Sequence, residues 1–199
     1  MYSNCDVIYL DDLISTFEQL ASQKRLTEYL GIGRRTDLQV DELIDFEARP
    51  SVEQLELRNK EEGTPAAVVC KEYFIFPRGV FSDIPKFAVG RGNWDNWMVH
   101  SAKKRDIPVI NLSQSVRAIH QNHDYSHAKQ SRRECYVTGI EARKNQQLGG
   151  GRHLISGCTS TWFLNEQGLQ PAPRGFTNRE FWFDIPRFAH LLARLFWPK

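Results

Sequence analysis

The sequence predicts an α/β layer protein of one domain, or of one domain with a short appendage. Three observations point there. The chain has 199 residues, enough for a single core. Short apolar runs with β-branched and aromatic members alternate with segments whose apolar residues recur at helical spacing. Charged residues make up 25% and apolar residues 41%. That balance suits a globular domain and argues against disordered, collagen-like or coiled-coil chains.

Residues Cys5 to Leu10 form a short run suited to a buried strand. Asp11 and Asp12 offer a helix N-cap, and Leu13, Phe17, Leu20 and Ala21 follow at helical spacing to about residue 24. Residues Tyr29 to Gly33 read as a second strand ending in glycines. No phosphate-binding helix pattern follows Gly31-Ile32-Gly33, so a dinucleotide fingerprint is discarded. The stretch 34–66 is polar, with Asp37, Asp41, Glu42, Asp45 and Glu47, and only a weak helical pattern at 52–60. Residues 66–70 and 73–76 predict further strands, closed by a turn at Pro77-Arg78-Gly79.

Trp94, Trp97, Met98, Ser101 and Ala102 share one helical face, and that helix stops before Ile107-Pro108. Residues 109–112 and 116–120 are the next strands. The stretch 128–151 is polar, basic and ends in Gly149-Gly150-Gly151, which predicts a flexible loop or irregular arm. Near the C-terminus, Phe188, Leu191, Leu192, Leu195 and Phe196 form an apolar face opposite Arg187, His190 and Arg194. This is an amphipathic helix.

Lys and Arg number 26 against 24 Asp and Glu, a formal charge of +2. No dense basic stripe argues for nucleic acid as a partner. No apolar run approaches the roughly 18 residues that span a bilayer. Residues 1–6 lack the basic flank and apolar core of a signal peptide. Cys5, Cys70, Cys135 and Cys158 are scattered without a CxxC pair and read as reduced thiols. The expectation is a cytoplasmic protein.

Three constellations carry chemistry. His120, His123, Asp124 and His127 fall within eight residues, although the whole chain has 6 histidines. Imidazoles and carboxylates ligate divalent metals, and a strand leading into a loop aims them into a cleft. The other reading is a solvated polar loop. In the second, the turn Gly90-Arg91-Gly92-Asn93 opens a helix bearing Asp95 between Trp94 and Trp97. Aromatic faces beside a carboxylate hold a sugar ring and accept its hydroxyl proton. Alternatively the tryptophans are core anchors and Asp95 a favourable charge at a helix N-terminus. In the third, Asn4-Cys5-Asp6 places an amide and a carboxylate, both oxygen ligands for Mg²⁺ or Mn²⁺, at the end of a strand.

In their order, these segments resemble the C-terminal portion of a GT-A-type glycosyltransferase, most like the bacterial family 2-type enzymes. Residues 2–13 are similar to the strand that ends in a D-x-D-like element. Residues 73–81, with Phe76-Pro77-Arg78-Gly79, resemble the strand and turn before the acceptor region. Residues 87–98 sit where related galactosyltransferases carry a glycine-rich turn, an acidic pair and a helix. The stretch 120–127 follows the strand that supplies a metal-ligand histidine in related enzymes.

The resemblance implies an incomplete GT-A-like mixed sheet flanked by helices over residues 1–165, with a C-terminal linker and amphipathic helix over 166–199. It implies inverting transfer from a nucleotide-diphosphate sugar to the hydroxyl of a glycan or lipid-linked acceptor. Asp95 is the implied catalytic base. Asn4, Asp6, His120 and His123 fall at the donor and metal positions, with Mn²⁺ or Mg²⁺ as the cofactor. Trp94, Trp97 and Arg78 fall on the acceptor side.

The chain departs from the family pattern in three ways. Asn4 replaces the first carboxylate of the D-x-D element, and Asn96 replaces one of the acidic pair. No nucleotide-binding half precedes Asn4, which implies either a second chain completing the donor site or a truncated, degenerate form. Two other functions fit the residues: a metal-dependent hydrolase built on the 120–127 cluster, and a non-catalytic carbohydrate- or partner-binding module. The C-terminal helix either packs on the sheet or, through Arg187, Arg194, Lys199 and Phe196-Trp197, lies on the inner face of a membrane.

Overall fold

The structure, a computed structural model, describes residues 1–24, 26–67, 70–123, 131, 133–151 and 160–172. In chain order these form β1 (Tyr2–Ser3), β2 (Val7–Tyr9), α1 (Asp12–Ala21), β3 (Leu30–Gly33), β4 (Thr36–Leu38) and α2 (Arg49–Glu62). Then come β5 (Thr64–Pro65), β6 (Tyr73–Ile75), α3 (Trp94–Lys104), β7 (Val109–Asn111), β8 (Ala118–Gln121), α4 (Ile140–Leu148), β9 (Trp162–Asn165) and β10 (Gly168–Pro171). The strands make two mixed sheets, ordered β1-β6-β3-β7-β9-β10 and β2-β8-β4-β5. In the larger sheet β3–β7 and β7–β9 are parallel; in the smaller, β4–β8 is parallel. The α/β class read from the sequence therefore holds.

Strand alternation sends side chains to opposite faces of the larger sheet. Leu30, Ile32, Phe74 and Val109 meet Trp94, Met98, Val99 and Ala102 of α3. Tyr73, Ile75, Ile110 and Leu112 point the other way and cluster with Leu20 of α1. In the smaller sheet Leu38 and Ile119 pack with Leu55 of α2. Gly33 is required here, because a Cβ would strike the Tyr73 ring, whose hydroxyl donates to the Leu112 carbonyl at 3.3 Å.

The strand expected over 5–10 forms at its centre as β2, half-buried rather than buried, and a two-residue β1 precedes it. β1 lies in the larger sheet and β2 in the smaller, with Asn4, Cys5 and Asp6 between them. Asp11 occupies the N-cap position of α1 without a side-chain cap bond, while Asp12 accepts from the Arg117 backbone N–H and Nε at 3.0 and 2.6 Å. Residues 66, 67 and 70 carry no strand; β5 lies just before them.

Two helices were poorly visible in the sequence, for a shared reason. α2 buries only Leu55, so its apolar stripe is too narrow to read. Proline in its first turn and the Arg49–Glu53 and Arg58–Glu62 pairs support it instead. The arm expected over 128–151 holds a π-turn at Glu134–Thr138 and then α4, ending at the predicted glycines. α4 docks through buried Ala142 and Asn145 rather than a row of large apolar residues. A boundary between 165 and 166 falls inside the β9–β10 hairpin. The C-terminal helix and its membrane contact, like Asp124 and His127, lie outside the described residues. Among the described residues, no helix is long and apolar enough to cross a membrane.

Candidate metal centre and its polar network

Two pairings build the centre. β2 runs antiparallel to β8 with Val7 opposite His120, so Asp6 arrives beside that strand. β4 runs parallel to β8 with Asp37 in register with His120. Neighbours on adjacent strands share a face. Buried His120 thus stands between two carboxylates, its Nε2 3.3 Å from Asp6 Oδ2 and its Nδ1 2.9 Å from Asp37 Oδ1. The second contact is close but off the line of a hydrogen bond. His123, two residues past β8, brings Nε2 to 3.3 Å from the same Asp6 Oδ2. One ligand atom from each of Asp6, His120 and His123 lies within 4.8 Å of the others. Asp6 Oδ1 is buried without a hydrogen-bond donor among the described residues.

A chain of ion pairs runs outward from this triad. Arg35 Nε donates to Asp37 Oδ1 at 2.5 Å, and the same guanidinium pairs with Glu72. Glu72 also accepts from Asn4 Nδ2 at 2.8 Å. Burial alone would lower the Arg35 pKa, but Glu72 and Asp37 outweigh it and hold the guanidinium above its ordinary range. Beside them the Tyr9 phenol is pushed up to about 12. Burial is the main cause, a hydrogen bond with Ser3 opposes it, and Glu72 and Asp6 add to it. Burial likewise raises the Cys70 thiol, against the pull of Arg35.

Lys71, its side chain 2% exposed, lies next in sequence to Glu72 and sends Nζ to 3.8 Å from Asp95 Oδ2. Among the described residues, Arg35 pairs with Asp37 and Glu72, and Lys71 with Asp95.

The donor set fits a divalent cation. A neutral imidazole has one N–H and one lone pair. If the His120 proton sits on Nδ1 toward Asp37, the Nε2 lone pair faces an Asp6 oxygen 3.3 Å away, and the two repel unless a cation joins them. Two imidazoles with one carboxylate suit a first-row transition ion, Mn²⁺ among them, better than Mg²⁺, which prefers oxygen ligands.

The structure brings together most of the residues singled out by sequence, but not all. Asn4, Asp6, His120 and His123 share one network, while Asp95 pairs with Lys71, the residue before Glu72 in the chain. Asn4 enters the network through its Nδ2, which donates to Glu72. Trp94 is a core residue, 6% exposed and ringed by Phe74 and Tyr2. Trp97 is half-buried against Phe87. Arg78 is exposed in the turn after β6, while Lys71 and Glu72 precede that strand. It therefore sits away from the network.

Sequence reading missed Arg35, Asp37, Lys71 and Glu72. Asp37 was visible only as one of several acids, because its meaning depends on the β4–β8 register. Lys-Glu immediately before an apolar strand was the one available signal, since charges there are buried once the strand is central. Comparison with protein-family models, with curated proteins and with solved structures finds no match for this chain.

Proposed function

We propose that the chain is a glycosyltransferase-like protein in which Asp6, His120 and His123 hold a divalent cation and Asp95 is the base. The observation that carries this reading is the approach of both histidine Nε2 atoms to one Asp6 oxygen; Asp95 pairs with Lys71, next in sequence to Glu72 of the same network. When bound, the cation supplies positive charge to a diphosphate leaving group. Asp95 accepts the proton of an acceptor hydroxyl as that oxygen attacks the anomeric carbon. The bond from that carbon to the diphosphate oxygen breaks on the opposite face, so configuration inverts. Lys71 holds the Asp95 carboxylate in place. Half-buried Trp97 offers a ring surface for the acceptor, and Trp94 anchors α3 beneath it. In a chain showing transfer, Asp95→Asn should lower turnover by roughly 10²–10⁴, and a loss of only about twofold removes Asp95 as the base.

The compactness of the triad favours a second reading, a metal-dependent hydrolase, because three protein donors hold an ion without help from a nucleotide. Calorimetry with Mn²⁺, with and without a nucleoside diphosphate, separates the two. A glycosyltransferase-like site gives nucleotide binding that needs Mn²⁺ and that His120→Ala and His123→Ala both weaken. A hydrolase site binds Mn²⁺ with no gain from the nucleotide. Absence of Mn²⁺ binding in the parent chain sinks both readings.

A further inference from the structure

The cation reading leaves one question at His120: which ring nitrogen carries the proton. We infer that Asp37, braced by Arg35, is a positioning residue for the centre: its carboxylate stands at the Nδ1 end of His120, where a small turn of the ring lets it accept that proton and leaves the Nε2 lone pair to the cation. This rests on the cation reading above.

Three observations support the assignment. Asp37 and His120 are register partners in the parallel β4–β8 pair, so the backbone itself sets the carboxylate beside the ring. Asp37 Oδ1 lies 2.9 Å from Nδ1, close though off the line of a hydrogen bond, whereas Asp6 stands at Nε2. Asp37 is also outside the group whose donor atoms converge, so it faces the ligand's far nitrogen rather than the ion position. A carboxylate there fixes the tautomer and the ring plane and makes the coordinating nitrogen more basic.

Arg35 explains why Asp37 does not itself turn in as a fourth ligand. Its Nε holds the same Oδ1 at 2.5 Å, and its guanidinium is tied in turn to Glu72, 4% exposed. That oxygen has lone pairs for two donors, Arg35 and His120. The arrangement acts as a brace: Glu72 fixes Arg35, Arg35 fixes Asp37, and Asp37 fixes His120.

The test uses the full chain, with Co²⁺ as the probe ion followed by visible absorption, and ¹⁵N NMR of the imidazoles in the metal-free protein. His120 is expected to carry its proton on Nδ1 in the wild type and to lose that preference in Asp37→Ala. Co²⁺ affinity should fall about 10–100-fold in Asp37→Ala, and the band of the remaining complex should shift. Asp37→Asn, which keeps an oxygen acceptor, should recover most of the affinity. A merely structural role would instead lower thermal stability while leaving tautomer and band unchanged. If Asp37→Ala does not fold, the wild-type tautomer and the Asp37→Asn titration still decide. Co²⁺ binding with the proton on Nε2, or with an affinity untouched by removing Asp37, overturns this proposal alone. No Co²⁺ binding in the wild type overturns the cation reading and this proposal together.

Discussion

Asn145 is fully buried in α4, and a polar side chain there must be satisfied from all sides. Its Nδ2 donates to the carbonyls of Ala88 and Gly92 at 2.9 and 3.1 Å, and its Oδ1 accepts from the Ala88 N–H at 2.9 Å. One amide thus ties down the turn that leads into α3 and carries Asp95 and Trp97. Gly92 lies against the Tyr136 carbonyl so closely that any Cβ would collide with it, and Asn93, with φ of 81°, donates to the Gly151 carbonyl at 2.9 Å. Asn145→Ala leaves two carbonyls and one N–H near the core without their partner. We expect a loss of about 2–4 kcal/mol in urea unfolding, the cost of several unmet backbone groups. A loss under about 0.5 kcal/mol, the lower end for a single bond, would mean that the turn is held by other contacts.

Elements were legible where burial is apolar. β6 and β7 are short apolar runs that fill both clusters, while β3 and α3 send regularly spaced apolar residues into the first, so their patterns survive in the linear sequence. α2 and α4 left no such pattern, since one is held by a single leucine and ion pairs and the other by Asn145. The β1–β2 crossing was invisible because β1, only Tyr2–Ser3, is too short to leave a pattern, and nothing but the turn after it marks a change of sheet. The site shows the same division. His120 and His123 were conspicuous by residue type and closeness in the chain, whereas Asp6 entered only through the D-x-D-like position that the resemblance implies, and the β2–β8 pairing is what brings it to them. Asp37 and Glu72 take their meaning from strand register and from burial, which arise only when both sheets assemble. Asp95 was correctly placed on the first turn of α3, yet nothing in the sequence linked it to Lys71.

At the scale of the molecule, the polar network lies along the seam between the two sheets. The chain passes from the larger to the smaller sheet at residues 4–6 and again at 34–35, and returns from β5 to β6 through residues 66–72. Asn4 and Asp6, then Arg35, then Lys71 and Glu72 occupy those passages. The network is therefore also the stitching that holds one sheet against the other, and a cation between Asp6, His120 and His123 would join β2 to the end of β8 within it. Binding that is specific to the folded state stabilises that state by about 2.7 kcal/mol at 100 times Kd. In a domain of this size each kcal/mol raises Tm by roughly 2–4 °C. Mn²⁺ at that saturation should thus raise Tm by about 5–10 °C. Asp6→Ala should abolish the rise, because it removes the one oxygen that both histidines approach. Calorimetric melting of the two chains with and without Mn²⁺ measures this directly. An equal rise in both chains would place the ion elsewhere, and no rise in the parent would leave the seam held by its ion pairs alone.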